Sequence, residues 1–85
     1  MTRIYNETIA KIQDGTIVYI TDDDNEKMMF ICERKHGVWC LHSNDYGKYC
    51  PNTKTLEELQ ETIHKDWQSG LIVDIMVFDS EENKN

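Results

Sequence analysis

The spacing of apolar side chains changes along the chain, and each change predicts an element. Ile4, Tyr5, Ile9 and Ile12 recur at helical intervals, with Asp14-Gly15 placed to end a helix. The same stretch admits a hairpin in which 8–13 and 16–21 pair around an Asp-Gly turn. The helical reading is preferred. Residues 16–21, Thr-Ile-Val-Tyr-Ile-Thr, are β-branched and aromatic, and Asp22-Asp23-Asp24-Asn25-Glu26 follows them, so a strand running into an acidic loop is expected. Residues 27–34 and 38–43 flank Lys35-His36-Gly37, the pattern of a second hairpin. Residues 44–54 carry Asn, Asp, Gly and the sole proline and read as a loop.

The best-specified element is a helix beginning near Thr55. Thr55 and Glu58 form the Thr-x-x-Glu capping box, in which each side chain serves an orphan backbone N–H of the first turn. Leu56, Leu59, Ile63 and Trp67 then fall on one face, and Glu57, Glu58, Glu61 and Lys65 on the other. Gly70 stops the helix, and 71–78 forms the most apolar strand of the chain. The expected fold class is therefore α+β: a small, mostly antiparallel sheet of four to five strands packed on one main helix over 55–68, in the order (α or β)-β-β-β-α-β. Residues 1–78 are expected to form one compact domain, and 79–85, wholly polar or charged, a disordered acidic tail.

The last strand is apolar on both sides. Leu71, Val73, Ile75 and Val77 alternate with Ile72, Met76 and Phe78, interrupted only by Asp74. A strand of that kind has both faces covered, and one helix covers only one. The other face calls for the N-terminal segment, a second copy of the chain or a partner. Ile72, Met76 and Phe78 are the candidate oligomer interface.

Length and charge narrow the function classes. A chain of 85 residues and 10.0 kDa holds one modest core and no separate catalytic and cofactor domains. The apolar runs are far too short to span a bilayer, and no apolar stretch follows Arg3 as in a secretory signal, so a cytoplasmic protein is expected. Sixteen Asp and Glu against nine Lys and Arg leave a net charge of −7, which disfavours direct binding to nucleic acid or anionic membranes. Three cysteines, Cys32, Cys40 and Cys50, make an odd number and argue for reduced thiols.

Candidate chemistry is sparse. Cys32, His36, Cys40, His42 and Cys50 are zinc-type ligands, but no Cys-x-x-Cys pair exists and a hairpin would separate them, so a zinc-stapled domain is a distant third reading. Asp22, Asp24, Glu26 and Glu33 match an EF-hand count at positions 1, 3, 5 and 12, yet Lys27 stands where that loop needs glycine and the flanks read as strands. Cys40 and His42, two apart on a strand, sit about 6.5–7 Å from each other, too far for direct thiol–imidazole contact. No catalytic residue, metal or cofactor is expected.

The carboxylates fall in three groups: Asp22, Asp23, Asp24 and Glu26 in a loop, Glu57, Glu58 and Glu61 on the outer helix face, and Asp79, Glu81 and Glu82 in the tail. On a common side they would imitate the spaced phosphates of a duplex and block a nucleic-acid channel. Tyr46 and Tyr49, expected in a loop, are candidate anchors beside them. The single alanine and the abundance of Ile, Lys, Asn, Asp and Glu resemble the usage of AT-rich bacteria and their phages. In length and acidity the chain resembles the small accessory proteins with which phages inhibit host or defence proteins; this likeness of composition implies no residue roles. The leading expectation is a non-enzymatic, acidic protein-binding module that modulates or inhibits a partner with a basic surface, such as a nucleic-acid-binding protein. The alternative is a small structural domain acting as a homodimer, or as a subunit of a larger assembly, through strand 71–78.

Overall fold

The computed structural model describes residues 6–78. Ile4, Tyr5 and the acidic tail over 79–85 lie outside the described residues, as does the side chain of Cys50. A 3-10 helix, Ile9–Lys11, precedes strands β1 (Ile17–Asp22), β2 (Lys27–Lys35), β3 (Val38–Ser43) and β4 (Gly47–Thr53). The helix α1 (Leu56–Ser69) and the strand β5 (Ile72–Phe78) complete the fold. The five strands form one sheet in the order β4-β3-β2-β1-β5, antiparallel at every junction, with α1 packed on one side. The fold is α+β.

Two expectations are corrected. Over its described residues, from Asn6, the N-terminal stretch is neither a full helix nor a hairpin strand. It makes one 3-10 turn, with Ile9 and Ile12 buried against α1 and the Gln60 amide donating to the Ile12 carbonyl at 2.8 Å. The region expected to be a loop, 44–54, contains β4. Pro51 cannot donate to a ladder, but β4 is an edge strand, where that loss is tolerated.

The hairpin joining β2 to β3 is set locally. His36 and Gly37 are its two loop residues, with φ of 55° and 79°, the type I′ geometry whose twist matches the flanking strands. The helix start and stop also follow their signals. Thr55 Oγ1 accepts from the Glu58 N–H at 3.0 Å. The Glu58 carboxylate reaches the N–H of Lys54 at 2.9 Å, one residue before the cap. Gly70 closes the helix at φ 91°.

The core lies between sheet and helix. Val18, Ile20, Phe30, Cys32, Leu41 and Ile75 supply the sheet side, Leu59 and Ile63 the helix side, and Ile9 and Ile12 fill one margin. Leu56 and Trp67 pack against this cluster from the two ends of α1.

Candidate functional site

The described N-terminal residues sit in the helix layer, so no described element covers the opposite face of the sheet. The register dictates what that face carries. Ile17 stands between Phe78 of β5 and Ile31 of β2, and Tyr19 between Met76 and Met29. Alternation places all six on the side away from Val18 and Ile20, which are buried under the helix. The result is a grid of apolar side chains, two rows deep and three strands wide. Met29, Ile31 and Phe78 are 45%, 42% and 48% exposed, while Ile17, Tyr19 and Met76 are partly buried among their neighbours.

The grid is internally packed. The Tyr19 and Phe78 rings meet edge to face with centroids 5.7 Å apart, and Lys27 Nζ lies 5.5 Å over the Tyr19 ring. Beyond it, on β3, Cys40 is buried opposite Glu33, and His42 Nδ1 is 3.9 Å from the Glu33 carboxylate. The next row holds Asp74, Thr21 and Lys27.

Of the three residues expected to form an oligomer interface, Met76 and Phe78 lie on this open face and Ile72 does not. The β1–β5 register shifts between Thr21 and Asp22, pairing Asp22 with Ile72, and Ile72 is buried in the core. Strict alternation misassigned it for that reason. Ile17, Tyr19, Met29 and Ile31 were missed as surface residues, although the odd-numbered apolar positions of 17–21 and 27–33 contained the signal.

The two acidic groups among the described residues lie at opposite ends of the domain. Asp22, Asp23, Asp24 and Glu26 form the β1–β2 turn, and Asp22 Oδ1 accepts from the backbone N–H groups of Asp24 and Glu26, both at 2.9 Å. Asp22 is thus committed to holding the turn. Asp22, Asp23 and Asp24 are the one group of His, Cys, Asp and Glu side chains among the described residues close enough to share a metal ion. Tyr46, 47% exposed, joins this end from the β3–β4 turn, and its hydrogen bond to Glu26 raises its pKa. Glu57, Glu58 and Glu61 are exposed on the N-terminal half of α1, whereas the turn lies beside Gly70 at the helix's other end. The turn and helix groups therefore do not gather at one spot.

Tyr49 is a half-buried residue of β4, opposite Leu41, with its ring 5.9 Å from that of Phe30 and its hydroxyl donating to the Asp66 carboxylate of α1. It clasps strand to helix. Of the zinc-type ligands, Cys32 and Cys40 fall on opposite sides of the sheet. Cys32 pairs with Leu41 on the helix side, while Cys40 pairs with Glu33 on the open side. Burial pushes the Cys32 thiol up to about 12, with the charges of Asp14, Cys40 and Glu33 adding to it, and burial raises Cys40 also.

No helix among the described residues is long and apolar enough to cross a membrane. Comparison with protein-family models, curated proteins and solved structures finds no match to any of them.

Proposed function

We propose that this chain is a non-enzymatic protein-binding module whose docking surface is the apolar grid on the open side of its sheet. The observation that supports this reading is the grouping of Ile17, Tyr19, Met29, Ile31, Met76 and Phe78 in adjoining rows, with three of them more than two-fifths exposed. Scattered apolar residues are ordinary on a surface, but a contiguous patch centred on a sheet is the usual mark of an interface. It carries aromatic and methionine side chains, which are enriched in the buried centres of such interfaces.

A second reading places the contact on the acidic turn. Asp23, Asp24 and Glu26 are exposed beside Tyr46, a combination suited to a basic partner such as the nucleic-acid-binding target of an inhibitor. The separation of this turn from Glu57 and Glu58 favours a local acidic contact over a continuous imitation of a duplex.

The two readings part in a capture experiment on nuclease-treated lysate of the producing cells or their host, eluted by salt steps. The face variant Met29→Lys/Ile31→Lys should lose the partner, and elution should be indifferent to salt. Loss in Asp23→Lys/Asp24→Lys instead, with release at moderate salt, would move the function to the turn. Retention in both variants sinks both readings.

A further inference from the structure

We propose that β5 accepts a further strand at its outer edge: an extended segment of a partner protein, apolar on both faces and carrying one lysine or arginine. This rests on the reading of the chain as a protein-binding module and extends its docking surface past the apolar grid.

The two edges of the sheet differ. β4 carries Lys48, Pro51 and a register shift between Trp39 and Leu41, each of which hinders pairing with a foreign strand. β5 has no proline and no lysine, and its register with β1 is regular from Asp74 to Phe78. No described strand lies beyond it, so along this stretch alternate backbone groups face outward. A long apolar edge of that kind is a template for strand addition, in which the backbone supplies affinity and side-chain pockets supply selectivity.

Such a pocket adjoins this edge. A cavity of about 490 Å³ lies on the helix side of the sheet, walled by Ala10, Ile12, Leu56, Gln60 and Val77. Val77 is the one strand residue on that wall among those described. The Gln60 amide donates to the Ile12 carbonyl at 2.8 Å and so ties two of the walls together. On an added strand, the residue opposite Val77 points to the same face as Val77 from about 4.8 Å away. A leucine or phenylalanine there reaches the cavity. Its neighbours, opposite Met76 and Phe78, point to the open side and widen both rows of the grid from three strands to four.

Charge fixes the other end of the segment. Asp74 is exposed on the open side, is the only ionised residue of β5, and forms no ion pair among the described residues. A lysine or arginine opposite it, three positions from the bulky residue, completes the pattern. A second copy of β5 brings no cation to Asp74, and each copy carries −7, so the partner is a different chain.

Selection of a displayed library of random ten-residue peptides on the full chain tests this. Enriched peptides should share a Lys or Arg three positions from a Leu, Phe or Ile that has apolar residues on either side. Selection on Asp74→Lys should replace that cation by Asp or Glu. Ala10→Trp narrows the cavity from an exposed position and should weaken the enriched peptides at least about tenfold. Met29→Lys/Ile31→Lys, two strands from the edge, should leave their affinity unchanged. Amide hydrogen exchange over 74–78 should slow when a peptide binds. Circular dichroism checks that the variants keep the fold. Failure to enrich any peptide, an unchanged charge preference in Asp74→Lys, full affinity in Ala10→Trp or unslowed exchange over 74–78 overturns the added strand. Enrichment of sequences that copy 72–78 overturns the foreign partner and gives the edge to a second copy. A captured partner lost by Met29→Lys/Ile31→Lys but kept by Asp74→Lys and Ala10→Trp removes the edge and leaves the docking face. The opposite response removes the face and leaves the edge.

Discussion

The hydroxyl of Tyr49, on an edge strand, donates to the carboxylate of Asp66, on the only α-helix of the described residues. With the Tyr49 ring against Phe30, this contact ties the outermost strand to the helix layer. Tyr49→Phe keeps the ring and removes the donor, so it should lower unfolding free energy by about 1 kcal/mol, as for a single partly exposed hydrogen bond. Tyr49→Ala also empties the space against Phe30 and should cost roughly 3 kcal/mol. Urea unfolding of the two variants measures both.

Helix α1 is fixed at each end by one residue. Thr55→Ala removes the acceptor of the Glu58 N–H and should cost about 1 kcal/mol. Gly70→Ala meets no atom within 4 Å of the added methyl, so its penalty is that of the left-handed backbone alone, roughly 1–2 kcal/mol. Urea midpoints at unchanged m-value should show both losses.

Burial holds the Cys32 thiol neutral and pushes its pKa up from the ordinary value of 9.0 to about 12. A raised pKa means that the fold favours the protonated form. Its contribution to stability is therefore complete below about pH 9 and is lost as pH rises toward 12. Thermal unfolding of the wild type should show this alkaline decline, and Cys32→Ala should flatten it while lowering stability at neutral pH.

The acidic turn depends on Asp22 in a way its neighbours do not share. Asp22→Ala removes the acceptor of two backbone N–H groups and should cost about 1 kcal/mol, whereas Asp22→Asn retains that oxygen and most of the stability. Asp23→Lys and Asp24→Lys should leave urea unfolding nearly unchanged, since both side chains are exposed.

What could be read in advance followed the range of the interactions. The helix, both its ends and the His36-Gly37 turn rest on contacts within four residues, and they stand where the sequence places them. Strand β4 was hidden because Pro51 is compatible with a strand only at a sheet edge, and edge position is decided by the whole sheet. The burial of Ile72 depends on an irregularity in pairing with a strand some fifty residues earlier, which no alternation rule contains. The apolar grid needed the order of three strands, of which only the β1–β2 neighbourhood was suggested locally.

That strand order also dictates a sequence of events in folding. The β1–β2, β2–β3 and β3–β4 pairings each close a short turn, but β5 reaches β1 only after the helix, joining Val18 to Val77 across roughly sixty residues of chain. The meander is cheap to form in loop-closure entropy, and the β1–β5 ladder is the costly, late step. Until it closes, β1 is an unprotected edge and the core lacks Ile72 and Ile75. Substitutions in β5 should thus accelerate unfolding more than they slow folding, and the strand that completes the fold is the one whose loss most readily leaves it sticky.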